Sequence, residues 1–139
     1  SEVMRRCAAI PRPGQEGSWI TPRMVRSYTA LHYRGIAHSV EVWEERELVG
    51  GLYGLAMGAF FFGESMFHSR TDASKLALMH LSQHLDRCGF DLIDCQQETP
   101  HLASLGARAI SRPVFYTRLK RSLAGPHRWQ TPEPPSKVI

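Results

Sequence analysis

Hydrophobic positions recur along this chain with two different periods, which predict both helices and strands. Apolar residues three and four apart predict a helix that opens at Thr21-Pro22 and ends at Gly35, and a longer helix over Asp72–Arg87. Alternating or continuous apolar runs predict four strands, at Ala37–Trp43, Leu48–Leu55, Ala59–Phe62 and Phe90–Cys95. Shorter apolar patterns predict a helix at 2–10, another at Pro100–Leu105, and a helix or strand at Val114–Leu123.

Strands arranged around one long helix indicate an α/β or α+β domain, with a mixed sheet flanked by helices. The chain has 139 residues, which suits one domain. We assign that domain to residues 1–124. Residues 125–139 carry four prolines, so this tail is expected to be extended and mobile.

Composition narrows the function classes only slightly. A net charge of +4 favours a polyanionic partner such as nucleic acid. No apolar run reaches the roughly 18 residues that a membrane span needs, so no membrane association is expected. Three cysteines without a CxxC pair indicate reduced thiols in a cytoplasmic protein.

Asp94 and Gln96 are the most informative polar residues. They are two apart on the predicted strand Phe90–Cys95, so they are expected to share a face, with Cys95 on the opposite, core face. An Asp beside a Gln can orient the amide and accept a proton through it or through water. The alternative is a strand-end pair that only bonds to nearby loop backbone.

Glu64 follows three phenylalanines in the sequence FFFGESMF. A carboxylate that is partly withdrawn from water requires a cation, so Glu64 is a candidate receptor for a cationic group. The alternative is a turn glutamate in solvent.

Metal and nucleotide chemistry find little support. His80 and His84 are four apart on the long helix, but no HExxH pattern accompanies them, and we expect no metal. The phosphate-binding patterns GxxxxGK[ST] and GxGxxG do not occur. The start of the long helix, Asp72–Lys75, could attract a phosphate.

Several short motifs occur in one order and together indicate a family. They are AHSVEVW, ELVGGLYG, GESMF, DASKLAL, LIDCQ, HLASLGA and the spaced residues of ISRPVF, within residues 5–119. In this order they resemble the bacterial leucyl/phenylalanyl-tRNA–protein transferases.

The resemblance implies a fold similar to that of the GNAT acetyltransferases. It also implies transfer of leucine or phenylalanine from aminoacyl-tRNA to an N-terminal Arg or Lys of an acceptor protein, which produces a degradation signal, the bacterial N-degron. By matched motif, Asp94 and Gln96 are the catalytic pair and Glu64 receives the basic side chain of the acceptor. The same resemblance places four residues at the donor: Trp19 near the terminal adenosine of the tRNA, and Tyr28, Leu52 and Phe61 in the donor site. No cofactor is implied, because the aminoacyl ester is already activated.

The resemblance has one departure. Family members carry an upstream domain with a WWSPDPR-like motif, which nothing in this sequence matches, so the chain is expected to correspond to the C-terminal domain. Two rival functions stay open: a coenzyme A-dependent N-acyltransferase, and a non-catalytic module that recognises basic N-termini through Glu64. Against the first rival, this sequence does not contain the Q/R-x-x-G-x-G/A stretch that binds acetyl-coenzyme A.

Overall fold

The computed structural model describes residues 1–11 and 17–131 as one sheet with helices on both faces. Nine elements follow one another along the chain: α1 (Glu2–Ala9), α2 (Pro22–Tyr33), β1 (Ala37–Glu44), β2 (Glu47–Met57), β3 (Phe60–His68), α3 (Ala73–Arg87), β4 (Leu92–Asp94), α4 (Pro100–Ser104) and α5 (Arg112–Leu123). The sheet order is β1-β2-β3-β4, antiparallel except for the parallel pair β3–β4. The expected mixed sheet flanked by helices is confirmed.

Local sequence explains where the helices begin and end. The hydroxyl of Thr21 accepts a hydrogen bond from the Met24 backbone N–H at 3.2 Å, and Pro22 occupies the first turn of α2. Thr99 caps α4 in the same way, through the Leu102 N–H at 3.1 Å. Gly35 follows α2 with a φ of 71°, a left-handed conformation that glycine adopts without strain.

The lengths of β3 and β4 differ from the prediction at the segments that carry Glu64 and Asp94. β3 continues six residues beyond Phe62, so the GESMF motif lies inside the strand and not after it. β4 is only three residues long, Leu92–Asp94, where the pattern predicted Phe90–Cys95. It pairs with the beginning of β3, with Phe60 opposite Leu92 and Phe62 opposite Asp94.

Two apolar clusters pack against the sheet. Helices α1 and α2 cover a cluster that includes Leu48, Tyr53 and Phe67. Helix α3 covers the second cluster, which includes Leu52 and Phe61. Because Leu52 and Tyr53 are neighbours on β2, their side chains point to opposite faces, and so do the two clusters.

The first part of the predicted tail makes contacts with the rest of the fold. Arg128 donates to the Gly89 carbonyl at 2.8 Å. The Trp129 ring stacks on His38 with the ring centres 3.7 Å apart, and it also contacts Phe61. Residues 132–139 of the predicted tail lie outside the described residues.

Candidate active site

Glu64 occupies a β-bulge in the middle of β3. Gly54 pairs with Gly63 and Tyr53 pairs with Ser65, so Glu64 is an extra residue without a partner on β2. A bulge re-aims a side chain and shifts the alternation of the strand by one. Phe61 therefore faces α3, whereas Phe67 faces α1, although both have odd numbers.

Tyr28 of α2 holds the Glu64 carboxylate. The Tyr28 hydroxyl is hydrogen-bonded to Glu64, and its ring packs edge-on against Tyr53 with the centres 5.6 Å apart. Burial, together with the Glu64 charge and this hydrogen bond, raises the pKa of Tyr28 to about 12. The phenol consequently keeps its proton and donates a hydrogen bond to Glu64, whose side chain is half-buried.

Asp94 and Gln96 come together through a turn and not through a shared strand face. β4 ends at Asp94, and Gln96 adopts a left-handed φ of 63°. Oδ1 of Asp94 accepts a hydrogen bond from the Gln96 backbone N–H at 2.8 Å. The expected alternation along a strand is therefore wrong here, and a side-chain-to-backbone turn replaces it.

The Gln96 side chain reaches across to β3. Its Nε2 donates to the Gly63 carbonyl at 3.0 Å. That carbonyl lies one residue beyond the last pair of the β3–β4 ladder, Phe62 with Asp94. The amide is thereby fixed to the residue that precedes Glu64, although 33 positions separate Gln96 from Gly63 in the sequence.

A cavity of about 1270 Å³ opens beside Asp94 and Gln96. Its walls are α3, β4, α4, the segment 106–110 and the start of α5. Leu78 and Ile93 give this cavity an apolar side, and both pack on the cluster that contains Leu52 and Phe61. Sequence reasoning assigned no site role to α5, yet Arg112, Phe115 and Tyr116 also line this cavity.

Leu52 and Phe61 occupy the floor beneath that apolar side. Their exposed fractions are 3% and 0%, so in this structure they support the cavity wall from below and do not line the cavity. Trp19 precedes α2, is 37% exposed, and is not among the residues that line the cavity. Their predicted donor contacts therefore stay predictions.

The remaining candidates have other contacts. Burial and the neighbouring Asp94 charge raise the pKa of the half-buried Cys95 thiol, which does not favour a nucleophile. Lys75 pairs with Asp72 at 2.6 Å, so the start of α3 already holds a carboxylate where a phosphate was considered. His84 lies against Trp129, with the ring centres 4.7 Å apart.

His38 and Trp129 form a further contact that the sequence did not suggest. Stacking on Trp129 accompanies a lowering of the His38 pKa to about 4, chiefly because burial disfavours the charged ring. Trp129 lies in the segment that was expected to be mobile, and no local pattern pairs it with a residue 91 positions earlier.

Comparison with known proteins gives a consistent result. The model of the family described as leucyl/phenylalanyl-tRNA protein transferase matches residues 1–120. A leucyl/phenylalanyl-tRNA–protein transferase of Chromobacterium violaceum is 57% identical over 125 residues, which cover 90% of this chain and 53% of that protein. One from Shewanella piezotolerans is 56% identical over 139 residues, covering 98% of this chain and 58% of that protein.

The chain spans about half the length of these curated relatives. The matched region contains the bulge with Glu64 and the turn with Asp94 and Gln96. The resemblance drawn from the short motifs is thus confirmed, and the chain belongs to the leucyl/phenylalanyl-tRNA protein transferase family.

Proposed function

We propose that this chain transfers leucine or phenylalanine from aminoacyl-tRNA to the α-amine of an acceptor protein that begins with Arg or Lys. The observation that carries the proposal is the hydrogen bond from Gln96 to the carbonyl of Gly63, the residue that precedes Glu64. The α-amine and the side chain of an N-terminal residue belong to one residue, so the groups that bind them must lie within its reach. The bond from Gln96 to the residue before Glu64 supports placing both groups within that reach.

Gln96 is proposed to hold the attacking amine. Its Nε2 is engaged by the Gly63 carbonyl, which directs the other amide atom, Oε1, toward a different donor. A hydrogen bond from the amine to Oε1 would place the nitrogen lone pair toward the ester carbonyl in the cavity. Holding two reactants in this way lowers the barrier by removing orientational freedom before the reaction begins.

Asp94 is proposed to act on the same group from the other side. Its Oδ1 fixes the backbone of Gln96, and the carboxylate charge can accept the proton that the amine loses, directly or through water. In the reaction the new C–N bond forms and the ester C–O bond breaks. The amine gives up one proton, and the leaving ribose oxygen gains one. The neighbouring ribose hydroxyl can pass a proton to that oxygen.

Glu64 is proposed to bind the basic side chain of the acceptor. A carboxylate accepts two parallel hydrogen bonds from an arginine guanidinium, and it attracts a lysine ammonium as a point charge. The hydroxyl of Tyr28 already orients this carboxylate from the α2 side. The charge is therefore positioned before an acceptor arrives.

The donor side chain is proposed to contact the apolar side of the cavity, at Leu78 and Ile93 above Leu52 and Phe61. A pocket of this kind accepts leucine or phenylalanine and rejects polar side chains. It separates similar apolar side chains weakly, by about 1–3 kcal/mol per methylene.

The proposed product is a protein marked for degradation, and the proposed location is the cytoplasm, where aminoacyl-tRNA is made. Within residues 1–11 and 17–131, no helix is long and apolar enough to cross a membrane. No cofactor is required, because the ester supplies the activated carbonyl.

The test is transfer of labelled phenylalanine or leucine from charged tRNA to peptides that begin with Arg, Lys or Ala. We expect product with Arg and Lys and little with Ala. Binding of the Arg peptide without transfer would favour the non-catalytic module. Transfer from a coenzyme A thioester, with no response to charged tRNA, would favour the other rival. The same assay on a longer protein with the upstream domain measures what that domain adds.

A further inference from the structure

The wall of the cavity formed by α5 carries an arginine and a tyrosine in direct contact. Nη1 of Arg112 donates to the Tyr116 hydroxyl at 3.2 Å, and the Arg112 Cζ lies 5.9 Å from the centre of the Tyr116 ring. Both residues line the same cavity as Asp94 and Gln96. We call this pair the Arg112–Tyr116 platform.

The Tyr116 ring contacts a neighbouring aromatic ring, yet about half of the residue is exposed to solvent. It packs on Phe115 with the ring centres 6.0 Å apart, and Phe115 packs in turn on the fully buried Phe60 at 5.8 Å. Tyr116 nevertheless remains 49% exposed. A large ring that is anchored to the core and open on one side can receive a second planar group with little loss of side-chain entropy.

The charged residues of α5 are all positive. The helix contains Arg112, Arg118, Lys120 and Arg121 and no acidic residue. Asp91 pairs with Arg118 and Arg121, at 2.9 and 3.7 Å. In the part of the chain that the structure describes, Arg112 forms an ion pair with no carboxylate, so its charge is available to a ligand.

The size of the cavity leaves room beyond the reacting ester. Pockets for ordinary small molecules measure about 300–1,000 Å³, and this cavity measures about 1270 Å³. An aminoacyl ester is attached to a ribose, so a donor whose carbonyl lies near Gln96 brings nucleotides into or beside the same space. The unpaired 3′ end of a tRNA presents bases with free faces.

We infer that the Arg112–Tyr116 platform binds an unpaired nucleotide near the 3′ end of the donor tRNA, with a base stacked on Tyr116 and the Arg112 guanidinium beside a phosphate. This inference rests on the proposed function. Aromatic rings with an adjacent arginine are the usual components of single-strand binding, because every base has a face that stacks. An arginine beside the ring adds a phosphate contact and makes binding depend on salt.

The test uses binding and transfer in separate measurements. The binding probe is a fluorescent ribo-oligonucleotide ending in CCA, followed by anisotropy at a fixed salt concentration. Tyr116→Leu is expected to weaken binding roughly tenfold, whereas Tyr116→Phe keeps the ring and stays close to the parent. Tyr33→Leu is the matched control, since Tyr33 is 85% exposed and does not line the cavity.

A second variant protects the test against a folding defect. Arg112→Gln leaves the tyrosine in place and is expected to weaken binding and to reduce the salt slope by about one phosphate contact. In transfer assays, Tyr116→Leu should impair a charged tRNA donor but leave phenylalanyl-adenosine, a donor without further nucleotides, unaffected.

Three results would overturn the inference: unchanged oligonucleotide binding by both Tyr116→Leu and Arg112→Gln, equal losses in Tyr33→Leu, or weakened binding of the Arg-starting peptide in place of the oligonucleotide. Absence of transfer with any donor would count against the proposed function alone, because the oligonucleotide measurement does not depend on transfer.

Discussion

Glu64 and Gln96 lie on either side of Gly63, yet the two positions are built differently. Glu64 is an extra residue in a strand, held by the phenol of Tyr28 on the face covered by α1 and α2. Gln96 follows the end of a strand and is held by Asp94 and by the Gly63 carbonyl beside the open cavity. The first position presents a fixed charge, and the second presents a fixed amide. We therefore expect substitutions at Glu64 to alter the KM for acceptor and substitutions at Gln96 and Asp94 to alter kcat.

The largest effect is expected for Gln96→Ala. Removing the amide removes the group that orients the amine, so kcat should fall about 100-fold while the KM for an Arg-starting peptide changes little. Steady-state transfer at several peptide concentrations measures both constants. Gln97→Ala is the matched control, because Gln97 is exposed and also lines the cavity. A raised KM with unchanged kcat would show that Gln96 acts in acceptor binding. It would contradict the expected difference between Gln96 and Glu64.

Asp94 is expected to show the next largest effect, and two variants divide its roles. Asp94→Asn keeps an oxygen for the Gln96 N–H but removes the charge, and kcat should fall about 30-fold if the carboxylate takes the proton. Asp94→Ala removes both and should lose more. Single-turnover rates with bound acceptor decide between the two roles. If the Asn variant keeps the parent rate and the Ala variant does not, Asp94 is a positioning residue only.

A smaller effect, confined to KM, is expected for Glu64→Gln. The variant keeps size and hydrogen bonding but removes the charge, and hydrogen bonds to charged groups contribute about 1.5–3 kcal/mol. The KM for Arg- and Lys-starting peptides should rise about tenfold or more, with Ala-starting peptides unaffected. Glu98→Gln is the control, because Glu98 is an exposed glutamate that lines the cavity. An undiminished preference for Arg over Ala would show that selectivity comes from elsewhere.

The smallest effect is expected for Tyr28→Phe, which leaves the Glu64 charge in place but releases its orientation. The KM for acceptor should rise about threefold, in line with the loss of one hydrogen bond. The parent protein should show one tyrosine that titrates late, at a pKa of about 12, and this transition should be missing in Tyr28→Phe. In Glu64→Gln the pKa of Tyr28 should move toward the ordinary tyrosine value of 10.0.

The same pair has a defined contribution to stability. Since burial, the Glu64 charge and the hydrogen bond to Glu64 together raise the pKa of Tyr28 in the folded state, the contribution of the neutral phenol to stability is complete below pH 10.0 and is lost as the pH rises through about 12. Absorbance titration of the phenol follows this change without any activity assay. A Tyr28 that ionises near pH 10.0 in the parent would show that the hydroxyl does not hold Glu64.

The sequence by itself determined the order and type of most elements and the family of the chain. Helix periodicity, the Thr21-Pro22 start and the glycine at 35 are local signals, and each was found where the pattern predicted it. The motifs GESMF and LIDCQ also identified the candidate site residues without any structure, since a resemblance depends on residue identity and order.

Only the tertiary structure decided how those residues meet. The bulge at Glu64 is a shift in the register of β3 against β2, between Tyr53 and Gly54. No pattern within β3 indicates that shift. The hydrogen bond from Gln96 to Gly63 joins two residues that are 33 positions apart in the sequence. Trp129 likewise packs on His38 from a segment whose prolines suggested mobility. Local propensity operates over a few residues, whereas register, strand ends and long-range packing depend on partners that are distant in the sequence.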